Sequence, residues 1–514
     1  MNPLLLTDFY KVHHNKMYPE GMTKLYSNFT PRKSRLPGID HVVVFGIQHF
    51  ILEYLIKRFD QEFFSKDWAG PKGLQQEYER HVGVNTDHIK ALWNLQYLPI
   101  KIKALPEGTL CPIGVPVLTI TNTHPDFAWL TNYLETLLSC CLWQPITSAT
   151  IAYEYKKLLT KYAIETTGSD EFVPWQGHDF SMRGMSSVES AILSGMAHLT
   201  SFTGTDTIPA IYALEESYGA SGHIGASVPA TEHSVMCMGT MASEIDTFSR
   251  LLDLYPTGIL SVVSDTWDLW KVLTEYIPAL KEEILARDGK LVIRPDSGDP
   301  VDIICGMDKY SYEKYLTDKL TLPSLPQRKG VIELLWDTFG GKINEHGFKE
   351  LDSHIGAIYG DSITLARAEA ICERLKTKGF ASTNIIFGVG SYTYQYNTRD
   401  TFGFAIKATY GEISHPAEGP GGTGFLEPRE IFKAPITDSG EKKSKKGLLK
   451  VCYDGSMETY TALGRPADGT MKPIICKDQQ TSTEENQGLL ETVFLDGKLV
   501  KTQTLSEIRE RLKV

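Results

Sequence analysis

The chain has 514 residues, with 52 Lys or Arg, 63 Asp or Glu and a formal net charge of −11. Apolar residues make up 42% and aromatic residues 10%, which is typical of a globular protein with an extensive core. These values exclude a globally disordered chain, a collagen-like chain and a small disulfide scaffold. The negative charge disfavours nucleic acids and anionic membranes, and we expect neither as a partner.

The sequence contains no run of about 18 apolar residues that could span a membrane. The apolar run at residues 4–6 is too short for a secretory signal. The eight cysteines are scattered and include no CxxC pair, which predicts reduced, mostly buried thiols. We therefore expect a cytoplasmic protein.

The two ends of the chain have a mixed pattern. Residue spacing predicts a helix over 48–64 and strands over 24–29, 97–105 and 116–121. From about residue 400, apolar and polar residues alternate as they do in strands. We expect 1–145 and 400–514 to form one α+β domain.

The region 146–399 repeats one pattern, in which a short apolar run ends in Gly, Asp, Ser or Arg and a helical stretch usually follows. The predicted strands are 175–180, 224–228, 259–263, 291–293, 355–359 and 385–387, with helices over 267–276 and 363–375. Such alternation indicates a parallel sheet covered on both faces. About six such units predict an α/β barrel, complete or partial, whose active-site residues lie at the carboxyl ends of the strands. A doubly wound open sheet is the alternative.

Two segments are predicted to be loops. One is 318–330, which contains Pro323 and Pro326, and the other is the Gly- and Pro-rich segment 415–424. A basic run over 442–446 follows the second loop and is typical of a solvated face.

Arg183 precedes a predicted helix start. Ser186 and Glu189 have the spacing of a capping box, with Ser186 as the N-cap. Free N–H groups at a helix start, together with an arginine, suit a phosphate. The alternative is an ordinary capped helix with a surface arginine.

Carboxylates follow several predicted strands. Arg294 and Asp296 occur in RPDSGD, where Arg suits a phosphate and Asp suits Mg²⁺ or ribose hydroxyls. A simple Pro-Asp-Ser-Gly turn is the alternative. Asp265 and Asp361 follow two other predicted strands. Three carboxylates at one barrel mouth would repel each other unless cations or hydroxyl-rich ligands joined them.

Two further motifs are less specific. Gly388-Val389-Gly390-Ser391 resembles a phosphate cradle, but GxGxxG and P-loop motifs are absent, so neither kind of nucleotide site is predicted. His233 follows a predicted strand and begins a helix, where a capping or core histidine is the alternative. Metal-ligand spacing such as HExxH is absent, so no structural zinc is predicted.

Together these motifs resemble the nicotinamide phosphoribosyltransferase family, and the resemblance covers most of the chain. The matching segments, in family order, are TDFYKV (7–12), HDFSMRGMSSVES (178–190), FTGTDT (202–207), SVPATEHS (227–234), SVVSDTWD (261–268), IRPDSGDP (293–300), YGDSI (359–363), FGVGS (387–391), TRD (398–400), KKSKKGLL (442–449) and ETVFLDGKLVK (491–501). One motif would be weak, but this ordered series is specific.

The resemblance implies a homodimeric type II phosphoribosyltransferase with an α/β barrel and active sites at the dimer interface. It implies transfer of ribose 5-phosphate from phosphoribosyl pyrophosphate (PRPP) to nicotinamide, giving nicotinamide mononucleotide and pyrophosphate in NAD salvage. Mg²⁺ would bind with PRPP or pyrophosphate and not in a dedicated protein site. ATP hydrolysis would be coupled through a phosphohistidine.

The resemblance also implies roles for individual residues. Phe180, with Tyr10 of the other subunit, would stack on the nicotinamide ring, and Asp206 would accept a hydrogen bond from the carboxamide. Arg183 would contact the amide or a nearby phosphate. The base pocket would include Ser227 and Val228, and Ser261 is a further substrate-binding candidate. The ribose and pyrophosphate would be held by Asp265, Arg294, Asp296, Gly360 and Asp361, and the 5′-phosphate by Gly390, Ser391 and Arg399 of the other subunit. His233 would be phosphorylated by ATP; it, Asp265, Arg294 and Asp296 are the candidate catalytic residues.

Some positions depart from the family pattern. Ser391 stands where the family tends to have a second glycine, Phe9 and Ser181-Met182 replace the usual neighbours of Tyr10 and Phe180, and the 415–424 loop is longer than expected. Two alternatives stay open. One is a nicotinate phosphoribosyltransferase, against which Asp206 argues because a carboxylate repels nicotinate. The other is a non-catalytic binding or signalling protein on the same scaffold.

Overall fold

The structure is a computed structural model that describes residues 1–83, 86–360, 362–417, 423–437, 444–454 and 473–514. The chain divides into two compact units. The first contains 1–150, 213–220 and 397–513, and the second contains 151–212 and 221–396 with Val514. Within the described ranges, no helix is long and apolar enough to cross a membrane.

The first unit is built on a seven-stranded antiparallel sheet. Its strands, in spatial order, are Phe425–Glu430, Ala405–His415, Met22–Thr30, Leu118–Asn122, Ile100–Ala104, Glu491–Leu495 and Lys498–Leu499. Phe29 lies opposite Ile406, and Ile102 lies opposite Phe494, so strands from both ends of the chain share this sheet. Two further two-stranded sheets join His41–Val43 to Leu110–Pro112 and Leu448–Tyr453 to Ile474–Gln480.

Helices of the first unit surround these strands. They are Pro3–Leu5, Phe9–His13, His14–Met17, Ile47–Phe50 continued by Ile51–Lys57 and Asp60–Phe64, Leu74–Val82, Asp87–Leu95, Pro125–Phe127, Ala128–Tyr133, Arg399–Thr401, Ser482–Asn486 and Leu505–Arg511. The last two begin with capping boxes, in which Thr481 pairs with Glu484 and Thr504 with Glu507. These reciprocal bonds satisfy N–H groups that have no partner within the helix.

The second unit contains a six-stranded parallel sheet. Its spatial order is Gly204–Thr205, Gly177–Asp179, Ile385–Val389, Ile355–Tyr359, Asp288–Arg294 and Thr257–Val263. Every residue of Ile355–Tyr359 is buried. Burial on both faces explains why these strands read as continuous apolar runs in the sequence.

The segment 226–231 joins the two edges of this sheet. Ala226 pairs with Gly204 at one edge, and Ala230 pairs with Ser261 at the other. The Ala226 N–H donates to the Thr203 carbonyl at 2.8 Å, and the Thr231 N–H donates to the Ser261 carbonyl at 3.0 Å. The sheet is therefore curled into a partial barrel whose two edges this segment bridges. The prediction of an α/β barrel, complete or partial, is confirmed, and the alternative of a doubly wound open sheet was wrong.

Helices connect the strands of the barrel. They are Val173–Gln176, Met182–Gly184, Val188–His198, Ile208–Tyr218, His233–Met238, Met241–Ser243, Glu244–Leu254, Leu269–Lys271 continued by Val272–Tyr276 and Ile277–Ala279, Lys281–Ala286, Pro300–Cys305, Lys309–Lys319, Leu325–Lys329, Val331–Phe339, Leu365–Thr377, Ser382–Asn384 and Ser391–Tyr394. A hairpin of Gly341–Ile343 and Lys349–Leu351 adds a small sheet. The helix Glu135–Thr167 is long and contains Pro145.

The predicted loop at 318–330 was wrong in part. Leu325–Lys329 is a short helix that begins with a capping box between Ser324 and Gln327. Pro326 fits its first turn, where a missing N–H costs no hydrogen bond. Of the other predicted loop, residues 418–422 lie outside the described residues, as do Lys442 and Lys443 of the basic run.

Two further predictions need correction. The N-cap of Val188–His198 is Ser187 and not Ser186; Ser187 Oγ accepts the Ser190 N–H at 3.0 Å. Glu189 therefore does not stand at the third helical position, and the predicted capping box is absent. All eight cysteines are free, but only four of them are buried, namely Cys111, Cys141, Cys305 and Cys372.

Candidate active site

A cleft of about 390 Å³ lies at the carboxyl ends of the barrel strands. Its lining comprises Phe180, Arg183, Glu232, His233, Ser234, Arg294, Asp296, Gly360, Ser362, Gly390, Ser391 and Tyr392. Arg294 is the last residue of its strand, and Phe180 and Gly360 each directly follow one. The barrel therefore brings together polar side chains that are far apart in the sequence, as the fold predicts.

The position of Phe180 is fixed by contacts with the backbone of the neighbouring strand Ile385–Val389. Its N–H donates to the Val389 carbonyl at 3.0 Å, and its ring lies 5.9 Å from the Arg294 guanidinium carbon. A Cβ on Gly388 would lie 2.6 Å from Phe180 Cδ2, so only glycine leaves room for the ring in this position. The ring is half-buried and lines the cleft, where it offers an aromatic surface.

Asp206 follows the strand Gly204–Thr205 and is fixed by two donors. His178 Nε2 lies 2.9 Å from Asp206 Oδ1, and the Ser227 hydroxyl donates to the same oxygen at 2.5 Å. Burial raises the pKa of the Asp206 carboxyl, but hydrogen bonds from His178 and Ser227 and the charge of Arg294 outweigh burial and hold that pKa below its ordinary value. Asp206 is therefore a carboxylate at neutral pH.

Asp265 organises the neighbouring strand ends. Its Oδ2 accepts the Asp296 N–H at 2.8 Å and the Ser297 hydroxyl at 2.6 Å. Its Oδ1 lies 3.5 Å from His233 Nε2, within ion-pair range, but accepts no hydrogen bond from the described residues. Arg294 Nε is also buried without a hydrogen-bond partner among them. Unpaired buried polar atoms beside a cleft indicate that a polar ligand completes the site.

Gly390 and Ser391 form another wall of the cleft. Open space surrounds the position that a Cβ on Gly390 would take, whereas a Cβ on Gly184 would lie 2.0 Å from Ser391 Oγ. Ser391 therefore packs closely on Gly184, in the turn Met182–Gly184 that also contains Arg183. This wall can therefore receive a ligand at Gly390, and Arg183, which is exposed, lies on the same cleft.

Several predicted residues of the second unit do not line the cleft, namely Asp206, Asp265, Ser227, Val228 and Ser261. Ser227 is exposed and contacts Asp206, and Val228 is half-buried beside it. Ser261 is buried, and its backbone pairs with the segment 226–231. Ser261 thus supports the segment that carries Ser227. Asp361 lies outside the described residues.

Tyr10 and Arg399 belong to the first unit. The Tyr10 side chain is 60% exposed and packs edge-to-face on His14 at 5.2 Å between ring centres. The Arg399 side chain is 55% exposed and lies 3.5 Å from Asp400. Both side chains are free to meet another molecule.

A group of cations around Lys407 includes Arg399 and was missed in the sequence. Burial lowers the pKa of Lys407, and the charges of Arg32, Lys433 and Arg399 lower it further, against a raising effect of Glu135. Neighbouring cations of this kind favour an anionic ligand. Because these residues are far apart in the sequence and belong to no single motif, spacing alone could not reveal the group.

His178, Glu232 and Ser234 were also missed in the second unit. His178 lies two residues before Phe180, and their ring centres are 4.6 Å apart. Residues two apart on a strand share a face, so this signal was available in the sequence. Glu232 and Ser234 line the cleft on either side of His233.

Comparison with known proteins shows which family the chain resembles. A sequence model of the nicotinate phosphoribosyltransferase family matches residues 175–498, and one of the nicotinamide phosphoribosyltransferase N-terminal domain matches residues 2–62. A nicotinamide phosphoribosyltransferase of Acinetobacter baylyi is 50% identical, with 100% of this chain and 97% of the relative covered. The chain belongs to the nicotinamide phosphoribosyltransferase family. It is therefore a phosphoribosyltransferase, and the resemblance drawn from the motifs is confirmed.

Two further comparisons show lower sequence identity. The enzyme of that name from Mycoplasma pneumoniae is 38% identical, with 85% of this chain and 92% of the relative covered. Among solved structures, nicotinate-nucleotide pyrophosphorylase from Pyrococcus furiosus superposes with a TM-score of 0.55 at 15% identity, covering 99% of this chain and 95% of that one. At such low identity, this likeness supports the type II phosphoribosyltransferase fold alone.

Proposed function

We propose that this protein transfers ribose 5-phosphate from PRPP to nicotinamide, releasing nicotinamide mononucleotide and pyrophosphate in NAD salvage. Family membership supports the reaction class. The observation that carries the choice of base is Asp206, a carboxylate held by Ser227 and by His178, whose own ring lies 4.6 Å from that of Phe180. An ionised carboxylate accepts the N–H of a carboxamide and repels the carboxylate of nicotinate.

Nicotinamide binding follows from these two side chains. Phe180 stacks on one face of the pyridine ring, and Asp206 accepts a hydrogen bond from the carboxamide nitrogen. Ser227 and Val228 lie beside Asp206 and border the base pocket. The ring is thereby oriented with its nitrogen toward the ribose. Such orientation accelerates the reaction because it converts a two-molecule encounter into a step within one complex.

In the chemical step, the bond between ribose C1 and the pyrophosphate oxygen breaks, and a bond forms between C1 and the pyridine nitrogen. The bonding electrons leave with pyrophosphate, and the nitrogen lone pair makes the new bond. No proton has to be removed from nicotinamide. The barrier therefore depends on stabilising the departing negative charge, which Arg294 and Arg183 on the cleft wall do.

Mg²⁺ fits the acidic side of this cleft. Asp265 has a buried Oδ1 without a hydrogen-bond partner among the described residues, and Asp296 lines the cleft. One or two carboxylates plus substrate oxygens are the usual surroundings of protein-bound Mg²⁺. We propose that Mg²⁺ binds with the oxygens of PRPP or pyrophosphate and that Asp265 and Asp296 hold it there through its water ligands. Bound Mg²⁺ would neutralise part of the charge on pyrophosphate.

ATP hydrolysis is proposed to act through His233. This side chain is half-exposed on the cleft, and its Nε2 lies 3.5 Å from the Asp265 carboxylate. The adjacent carboxylate orients the imidazole with its hydrogen on Nε2, which leaves the lone pair of Nδ1 for bond formation. We propose that Nδ1 attacks the γ-phosphorus of ATP, forming a phosphorus–nitrogen bond as the bond to the bridging oxygen breaks and ADP leaves. Hydrolysis of this phosphohistidine would return the enzyme to its starting state.

The remaining assignments concern the 5′-phosphate and the assembly. We propose a homodimer with shared active sites, in which Gly390 and Ser391 of one subunit receive the 5′-phosphate together with Arg399 of the other. Tyr10 of the other subunit covers the second face of the nicotinamide ring. The exposure of Tyr10 and Arg399 and the cations around Lys407 support this arrangement. We also propose two functional domains. Residues 1–145 together with 400–514 form the α+β domain, and residues 146–399 form the barrel domain.

A cytoplasmic location is proposed as well. It rests on the eight free cysteines, which suit a reducing compartment.

Product analysis tests the function. Purified protein is incubated with PRPP and Mg²⁺, and with nicotinamide or nicotinate, each with and without ATP. We expect nicotinamide mononucleotide from nicotinamide, at a rate raised by ATP. Turnover of nicotinate alone would retain the reaction class and reverse the choice of base. Absence of turnover with either base would favour a binding or signalling role for the scaffold.

A further inference from the structure

His178 and Asp206 are linked across two neighbouring parallel strands. His178 pairs with Gly204 in the sheet, two residues before Asp206. His178 Nε2 lies 2.9 Å from Asp206 Oδ1. Because an ionised carboxylate can only accept, the imidazole must carry its hydrogen on Nε2. The tautomer of His178 is thus fixed by its partner.

Both donors to Asp206 act on one oxygen. The Ser227 hydroxyl donates to Oδ1 at 2.5 Å, and His178 donates to that same atom. No described residue donates a hydrogen bond to Oδ2. The pair therefore occupies one oxygen of Asp206 and leaves the other as an acceptor for a ligand.

We propose that His178 is a positioning residue that determines base selectivity, acting with Ser227 through Asp206. This rests on the proposed function. His178 does not have to touch the reacting atoms. It keeps Asp206 ionised and correctly oriented, so that Oδ2 accepts a carboxamide N–H and repels a carboxylate. Without these donors, the Asp206 carboxyl can bind a proton. The protonated carboxyl would then donate a hydrogen bond to the carboxylate of nicotinate instead of repelling it.

The groups that face Asp206 define its titration. They are His178 on the strand Gly177–Asp179, Ser227 on the bridging segment and the Arg294 guanidinium on the strand Asp288–Arg294. Burial opposes ionisation of the carboxyl, and these three groups favour it. Removing His178 and Ser227 leaves burial opposed by Arg294 alone. The pKa of Asp206 then rises, and selectivity becomes dependent on pH.

The experiment compares kcat/KM for nicotinamide with that for nicotinate between pH 6 and 8.5 in wild type, H178L, H178Q, S227A, the H178L/S227A double variant and the control H81L. In H178L, we expect the ratio to fall by about tenfold or more, the loss typical of one hydrogen bond to a charged group. The loss should appear as a higher KM for nicotinamide, with little change in the KM for PRPP. The ratio should fall further toward pH 6 in H178L, and most in the H178L/S227A double variant, while staying flat in wild type.

Two controls separate positioning from general damage. Glutamine can offer an amide donor near the position of Nε2, so H178Q should recover part of the lost selectivity. H81L replaces an exposed histidine in the helix Leu74–Val82 and should behave as wild type. An active wild type with an unchanged, pH-independent ratio in H178L would overturn the role of His178 alone. A wild type that does not use nicotinamide would overturn the proposed function and this inference with it.

Discussion

Asp265 binds the backbone of Asp296, whose N–H donates to Asp265 Oδ2 at 2.8 Å. Asp265 lies two residues after the strand Thr257–Val263, and Asp296 lies two residues after the neighbouring parallel strand Asp288–Arg294. One carboxylate therefore sets the position of the loop that carries the other. This arrangement also leaves Asp265 Oδ1 for a ligand.

Asp265→Ala removes the acceptor for both Asp296 and Ser297. We expect kcat/KM for PRPP to fall by about 100-fold or more, since two hydrogen bonds to a charged group are lost. Ser297→Ala is the matched variant, because it removes only the hydroxyl that donates at 2.6 Å and should cost about tenfold or less. Steady-state kinetics with varied PRPP measure both effects. Equal losses in the two variants would contradict a ligand-binding role for Asp265.

Asp206→Asn replaces the carboxylate with an amide of nearly the same shape. The fold should be kept, because both His178 and Ser227 can still donate to the amide oxygen. The repulsion of nicotinate is lost, so we expect the nicotinamide-to-nicotinate ratio of kcat/KM to fall by about tenfold or more. Kinetics with each base, together with thermal unfolding, provide the measurement. An unchanged base preference would refute the assigned role.

His233→Ala removes the proposed phosphate acceptor. We expect ATP stimulation of product formation and ATP hydrolysis to be lost, while turnover without ATP persists. His223→Ala, an exposed histidine away from the cleft lining, is the control and should keep the ATP response. An acid-labile phosphorylation that survives in His233→Ala would place the phosphohistidine elsewhere.

Gly388→Ala tests the packing beneath the proposed base site. The new methyl group would lie 2.6 Å from Phe180 Cδ2 and 2.7 Å from Gly360 Cα, so the ring must move. We expect a loss of about 1–3 kcal/mol in the free energy of unfolding and a higher KM for nicotinamide. In Gly356→Ala, in the neighbouring strand, the new methyl group would lie 3.2 Å from the flexible side chain of Lys290 and at an ordinary contact distance of 3.9 Å from Val292, so this change should have little effect. Denaturant unfolding of both variants would show the difference.

His198 makes stability depend on pH. It is fully buried, with Nδ1 accepting the Tyr394 hydroxyl at 2.7 Å and Nε2 donating to the Gly204 carbonyl at 3.1 Å. Burial lowers its pKa to about 4. Between these two pKa values, the histidine is protonated in the unfolded chain and neutral in the folded chain. The free energy of unfolding is therefore highest above about pH 6.5 and falls toward pH 4, by up to about 1.4 kcal/mol per pH unit.

The check on His198 is the midpoint of urea unfolding measured between pH 7.5 and 4.5. His198→Gln keeps one donor and one acceptor but does not titrate, so its unfolding midpoint should vary less over this range. Parallel pH dependence in the wild type and this variant would assign the effect to other groups.

The sequence allowed the barrel and the position of the cleft to be predicted, because buried parallel strands leave continuous apolar runs such as 355–359, which matches the strand Ile355–Tyr359. The strand predicted at 224–228 was wrong. Ala226 forms only a single bridge, to Gly204, and the next bridge is made by Ala230 to Ser261, because Pro229 interrupts this segment. The helix at Leu325–Lys329 was missed because Pro326 was taken as a loop signal, although proline is also favoured in a first helical turn.

The candidate site shows a similar limit. Arg294 and Asp296 were found because they stand at the end of an apolar run, whereas Phe180 was assigned through the family resemblance. The contact between His178 and Asp206 spans 28 residues and depends on which strands are neighbours, which spacing does not reveal. The cations around Lys407 depend likewise on the sheet of the first unit. Strand ends can therefore be located from sequence, whereas their pairing needs the structure.

Choice of base is the central claim, and a competition assay tests it most directly. Wild-type protein receives equal concentrations of nicotinamide and nicotinate with limiting PRPP and Mg²⁺, and the two mononucleotides are quantified in the same sample by mass spectrometry. We predict that nicotinamide mononucleotide exceeds nicotinate mononucleotide by about tenfold or more, as repulsion by an ionised Asp206 requires. An excess of nicotinate mononucleotide would contradict the assignment of Asp206 and of the base it selects.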